Sequence, residues 1–130
     1  MFWVGMFIAS LSFAQKENCG NFKEGYFKII DKETGITLYI ERTKDTQTET
    51  ASDGTVMLLK IKWTGNCTYT LELIKFISNP KEMPQPPKEM VLTIKIVNAE
   101  SDRYSQETTS NMFQQVFKSE VKRIKKSEMP

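Results

Sequence analysis

Residues 25–51 read GYFKIIDKETGITLYIERTKDTQTETA. Apolar side chains recur at every second position through Phe27 and Ile29, and again through Leu38 and Ile40, which is the period of a strand with one buried face. Because a one-residue slip would turn every side chain to the opposite face, the register that keeps apolar residues opposed is strongly selected. A four-residue turn at Lys32-Glu33-Thr34-Gly35 satisfies this test. It sets Phe27 against Ile40, Ile29 against Leu38 and Gly25 against Arg42, where glycine leaves room. A second turn at Lys44-Asp45 then places Arg42 opposite Gln47, Ile40 opposite Glu49 and Leu38 opposite Ala51. Arg42, Gln47 and Glu49 therefore share the apolar face of the sheet.

The same pattern extends outward from this segment. In residues 55–77 a three-residue Thr64-Gly65-Asn66 loop would oppose Trp63 to Cys67, Ile61 to Tyr69, Leu59 to Leu71 and Met57 to Leu73. Lys60, Lys62, Thr68, Thr70 and Glu72 would then face water. Residues 78–89 hold Pro80, Pro84, Pro86 and Pro87, so this connection cannot join a ladder; it spans one end of the fold or covers an opening. Residues 90–97 form another strand with Met90, Leu92, Ile94 and Ile96 on one face, and a short loop would pair Ile96 with Tyr104. The last hairpin is expected to turn at Ser110-Asn111. Residues 113–124 fit either a strand through Phe113, Phe117 and Val121 or a helical stripe that adds Val116 and Ile124; the strand is the preferred reading. About eight antiparallel strands in up-and-down order give a mainly β fold, a curved sheet or half-open barrel of lipocalin-like type. The alternative is a flat sheet with a C-terminal helix across it.

Composition narrows the chemistry. The chain has 130 residues, 18 basic and 16 acidic side chains, two cysteines and no histidine. A Cys/His zinc site cannot be assembled, and a catalytic triad built on imidazole is excluded. No cofactor or metal is expected. Residues 1–14, MFWVGMFIASLSFA, carry no charge; they are too short to span a membrane and end in small residues before the polar Gln15. This segment reads as a signal peptide, leaving residues 15–130 as a single β domain exported to the periplasm or secreted. Cys19 lacks the small residues that a lipoprotein cut needs before it. In an oxidising compartment two thiols are ordinarily one disulfide, and Cys19–Cys67 is the only possible pair. Closing that loop is worth about 4 kcal/mol in chain entropy.

Gly25-x-Phe27, Ile40-x-Arg42, Gln47-x-Glu49 and Trp63-(x)3-Cys67-x-Tyr69-x-Leu71, taken together, resemble a group of small exported proteins from Bacteroidetes-type bacteria whose biochemical role is unassigned. The likeness covers roughly the first two-thirds of the chain after residue 14. It implies an exported protein with a cysteine just before the first strand, and it supplies no activity. The name DNA topoisomerase IV, which such sequences often carry, does not suit this chain: it has no ATP-binding glycine motif, carries an export segment and is several times too short for either subunit.

Three long polar residues on a core-facing surface must satisfy one another or bind something. Arg42, Gln47 and Glu49 are thus candidate ligand-binding residues, set against the simpler reading of a half-exposed salt bridge at the sheet rim. Trp63 and Tyr69 beside Cys67 could stack on a sugar or apolar ligand, or serve as core against a disulfide. Glu49 has no second carboxylate near it on the same face, so glycosidase-type chemistry is weakly supported. Lys118, Lys122, Arg123, Lys125 and Lys126 against Glu120 give the C-terminal segment a basic excess that would suit an anionic surface or a solvated face. No aromatic residues interleave after Phe117, which makes nucleic acid the weaker partner. The functional expectation is a non-enzymatic binding or interaction module of the cell envelope with an unknown ligand or protein partner. A small hydrolase or isomerase using Glu49 with Arg42, and a purely structural envelope component, are the alternatives.

Overall fold

The computed structural model describes residues 19–130. The signal peptide expected over residues 1–14 and the cut before Gln15 lie outside the described residues. A 3-10 turn at Cys19–Phe22 leads into eight strands: β1 (Gly25–Ile30), β2 (Thr37–Arg42), β3 (Thr46–Ala51), β4 (Val56–Trp63), β5 (Thr68–Ser78), β6 (Leu92–Ala99), β7 (Arg103–Ser110) and β8 (Phe117–Ile124). Each pairs antiparallel with the next, and β8 returns to β1, so the lipocalin-like up-and-down sheet closes fully into a barrel.

The registers of β1–β2 and β2–β3 are those dictated by the apolar alternation: Phe27 faces Ile40, Gly25 faces Arg42, Arg42 faces Gln47 and Ile40 faces Glu49. Beyond β3 the structure corrects three expectations. Trp63 pairs with Tyr69, not Cys67, so Ile61 faces Leu71 and Leu59 faces Leu73. The loop is two residues longer than expected and is closed by the Thr64 amide donating to the Thr68 carbonyl at 3.0 Å. Disulfide bonding of Cys67 to Cys19, 48 positions away, holds Cys67 in that loop and out of the β4 ladder. A shift of two keeps Leu59, Ile61, Tyr69 and Leu71 on their expected face; beyond Leu73 an irregularity between Leu58 and Leu59 sets Met57 opposite Phe76, in place of the expected Leu73. In β6–β7 a bulge between Ile96 and Asn98 places Ala99 opposite Tyr104, and Ile96 opposite Gln106. The small Ala99 gives the Tyr104 ring space. The last hairpin does not turn at Ser110-Asn111; Thr108 pairs with Phe117, so residues 111–116 form a longer loop that leaves Phe113 outside the strand. Residues 117–124 are strand, not helix.

Inward side chains Phe27, Ile40, Leu59, Ile61, Tyr69, Leu71, Ile94, Ile96, Tyr104 and Val121 make one buried core. Outward positions Glu41, Lys60, Lys62, Lys95, Lys118 and Lys122 are exposed. That polarity is the reverse of a barrel with a lipid-facing apolar band. Among the described residues no helix is long and apolar enough to cross a membrane.

The two ends of the barrel differ. The turn Cys19–Phe22 closes one end, with Phe22 fully buried and edge-on to Tyr104 at 4.9 Å between ring centroids. Arg123 seals this end from β8. Its guanidinium lies over the Phe22 and Phe27 rings at 5.4 and 4.9 Å and donates to the backbone carbonyls of Asn21 and Glu24. The room left by Gly25 is therefore used by Arg123: a Cβ at this position, where φ is +131°, would fall 2.5 Å from Arg123 Nη1. At the other end the wall splits. β5 runs 11 residues but pairs with β6 only from Thr68 to Leu71. Above Leu71 the two strands part, and the proline-rich connection after β5 crosses the gap.

Candidate functional site

Arg42, the last residue of β2, projects into the closed half of the barrel and is 2% exposed. A guanidinium placed there must use its fork of N–H donors or forfeit several kcal/mol of hydration. Its Nε donates to Gln47 Oε1 at 2.9 Å, one Nη to the Phe22 carbonyl at 2.8 Å, and the other to the Tyr69 and Tyr104 hydroxyls at 3.2 and 3.1 Å. The rings of Phe27 and Tyr69 lie beneath its charge at 4.8 and 4.9 Å. Burial by itself would lower the Arg42 pKa, but the Tyr69 and Tyr104 oxygens outweigh it, so the group stays a cation. The half-exposed rim salt bridge is thus corrected: Arg42 is caged at the core, and its link to Glu49 runs through an amide.

That amide can point only one way. Gln47, also 2% exposed, must turn its carbonyl oxygen to Arg42, which has no acceptor to offer; its NH2 then faces Glu49 and donates to Oε2 at 2.7 Å. On the far side, Tyr104 and Tyr69 share a 2.8 Å hydrogen bond, Tyr69 donates to Gln106 Oε1 at 3.0 Å, and Gln106 Nε2 donates to Ser119 at 3.0 Å. Burial pushes the Tyr69 pKa well above its ordinary value against the pull of Arg42, so the phenol keeps its proton and can serve as the donor in this chain. The result is one continuous hydrogen-bonded spine from Glu49 on β3 to Ser119 on β8. Tyr104, Gln106 and Ser119 were not singled out from the sequence. Their strand parity is readable there, but which inward polar residues meet across a barrel depends on closure.

The Glu49 end of this spine meets a cavity. Glu49 forms part of the floor of a cavity of about 430 Å³, together with Leu59 and Leu71; Met57, Leu73, Ile74 and Leu92 make its walls. Its roof is the connection, with Gln85, Pro86, Pro87, Lys88 and Met90. The cavity occupies the gap where β5 and β6 part, which explains why strand counting alone does not reveal it. Prolines suit such a roof because each lacks the N–H that would otherwise need a partner there. Side chains tether the roof at both ends: Asn79 exchanges two hydrogen bonds with the backbone of Met83, and Asn111 bonds Val91 N and the Glu89 carbonyl. Exposed apolar side chains gather at the same end of the barrel, including Ile30, Ile77, Met83, Phe113 and Phe117.

Burial raises the pKa of the Glu49 carboxyl, opposed by the Gln47 hydrogen bond and the Arg42 charge. Among the described residues no second Asp or Glu lines the cavity. Of the five candidate ligand-binding residues, then, Glu49 meets the cavity and Gln47 and Arg42 stand behind it. Trp63 and Tyr69 lie at the closed end, their rings tilted against each other with centroids 4.6 Å apart; Tyr69 belongs to the core and the partly buried Trp63 packs against it. Among the described residues no group of His, Cys, Asp and Glu could hold a metal ion. The basic C-terminal run does not form one face. Lys118 and Lys122 are exposed on β8, whereas Arg123 turns inward and is spent on the closed end. Compared with known proteins, the chain matches no family model, no curated protein and no solved structure.

Proposed function

We propose that this chain is a non-enzymatic exported binding module of the cell envelope that takes a small, mainly apolar molecule into the open end of its barrel. The observation that carries this reading is the cavity itself: about 430 Å³, walled by Met, Leu, Ile and Pro with a single acid on its floor. Pockets of this size and lining are what small-ligand sites require. The Cys19–Cys67 disulfide is the state expected in an oxidising compartment, and the apolar segment at residues 1–14 and the resemblance to small exported proteins support the same placement. The hydrolase or isomerase reading needs Arg42 beside Glu49 at the substrate, and Arg42 is separated from the cavity by Gln47.

The test uses N-phenyl-1-naphthylamine, an apolar dye that fluoresces when removed from water. The protein should bind it at one equivalent and melt at a higher temperature in its presence, because a ligand that binds only the folded state stabilises it by mass action. Leu73→Arg, which places a charge in the cavity wall, should abolish both effects while still unfolding cooperatively. A wild-type protein that neither lights the dye nor gains stability from it would overturn the reading.

A further inference from the structure

We infer that the ligand carries a hydrogen-bond donor, a protonated amine at best, at the end that reaches the cavity floor, where Glu49 receives it. This rests on the apolar-binding reading above and adds the polar chemistry that reading leaves open.

The argument begins with what is already committed. Arg42 can only donate, and it fixes Gln47 with its NH2 toward Glu49. Glu49 Oε2 is therefore an acceptor occupied by Gln47 at 2.7 Å. Among the described residues Glu49 has no ion-pair partner, and its Oε1 receives no hydrogen bond. Arg42 does not supply one: its hydrogen bonds go to Gln47, Phe22, Tyr69 and Tyr104, and the Gln47 amide stands between its Nε and Glu49. The side chains flanking Glu49 on the floor and walls, Met57, Leu59, Leu71, Leu73 and Leu92, have no N–H or O–H to offer. Glu49 is half-buried, and its open carboxylate oxygen is an acceptor presented to the cavity on an otherwise apolar wall; a ligand that displaces solvent there must supply a donor or leave it unpaired.

A ligand's head group meets this floor in one of three ways. An ammonium forms a charge-assisted hydrogen bond, the strongest class available to a carboxylate. A hydroxyl fills the acceptor without a charge. A carboxylate brings a like charge against Glu49 in surroundings that screen poorly. The site should therefore rank amphiphiles of equal chain length as amine, then alcohol, then acid. That order is the reverse of what Lys88 at the roof alone would select. The rank thus reports which end of the cavity reads the head group.

The experiment is displacement of N-phenyl-1-naphthylamine by decylamine, 1-decanol and decanoate at neutral pH, with melting temperature measured in parallel. Decylamine should displace the dye at a concentration at least about tenfold below decanoate, a difference of about 1.4 kcal/mol, with decanol between them. In Glu49→Gln the dye should still bind, while the preference for the amine collapses to within about threefold. A second arm needs no variant. As pH falls from about 8 to about 4 the alkyl ammonium keeps its charge; of the groups facing Glu49, Arg42 stays a cation and Tyr69 a neutral phenol, with Lys88 across the cavity at the roof. The preference of the wild-type protein for decylamine over decanol, neither of which titrates in this range, should therefore fade as Glu49 takes up its proton. Equal displacement by all three compounds, or decanoate the tightest, overturns the head-group assignment while leaving the apolar cavity in place. Failure of the dye itself to bind overturns both.

Discussion

Removing the Arg42 guanidinium tests the interior most directly. In Arg42→Leu the hydroxyls of Tyr69 and Tyr104 keep their bond to each other, but Gln47 Oε1 and the Phe22 carbonyl both lose the donor that Arg42 supplies. Each buried acceptor left unpaired costs about 1–3 kcal/mol, and cation–π contact with Phe27 and Tyr69 is lost as well. The sum is about 3–5 kcal/mol, the range found when one partner is removed from a buried ionic network. Against a total stability of about 5–15 kcal/mol this is a large fraction. For a domain of this size it corresponds to a fall in Tm of about 12–20 °C. The assay is equilibrium urea unfolding with the disulfide intact, read from the midpoint at unchanged slope. Arg42→Lys should recover less than half of the loss, since a point ammonium cannot reproduce a planar fork aimed at separate acceptors. A loss of about 1 kcal/mol or less, the worth of an exposed ion pair, would refute the caged geometry.

Two further substitutions probe the same interior. Gly25→Ala should lower stability by about 2 kcal/mol or more in the same assay, because the positive φ strains an L residue and the new Cβ meets Arg123 Nη1; a neutral substitution would mean that Arg123 does not seal this end. Glu49 supplies a pH signature. Its pKa is raised in the folded state, so the native protein favours the protonated form: that stabilisation is complete below the ordinary glutamate pKa and is lost as pH rises through the raised native value. Wild-type stability should therefore fall relative to Glu49→Gln as pH rises above the ordinary glutamate pKa of about 4, measured as the difference in urea midpoint, and a difference independent of pH would count against a desolvated carboxyl.

Much of the barrel is legible in the sequence because strand parity is a local property. Alternation with a period of two put Phe27, Ile40, Leu59, Ile61, Tyr69 and Leu71 inward, and the turn lengths around residues 32–35 and 44–45 gave the first two registers directly. The Cys19–Cys67 bond followed from there being only two cysteines. The long polar trio on an apolar face was visible for the same reason.

Tertiary structure decided the rest. Register errors at β4–β5 and β6–β7 arose where a disulfide drew Cys67 from the ladder and where a bulge inserted a residue; neither leaves a mark on apolar alternation. Whether Arg42 lay at a wet rim or in a cage depended on Phe22 arriving from outside the sheet and on Tyr69 and Tyr104 meeting it across the closed barrel. Basic residues that look alike in sequence went separate ways, Arg123 inward over Phe27 and Lys122 outward. The cavity exists because β5 and β6 part above Leu71 and Leu92 and a proline-rich segment roofs the gap, so its volume belongs to the spacing between strands distant in the chain. Sequence fixes which face a side chain takes; only closure determines what it meets there.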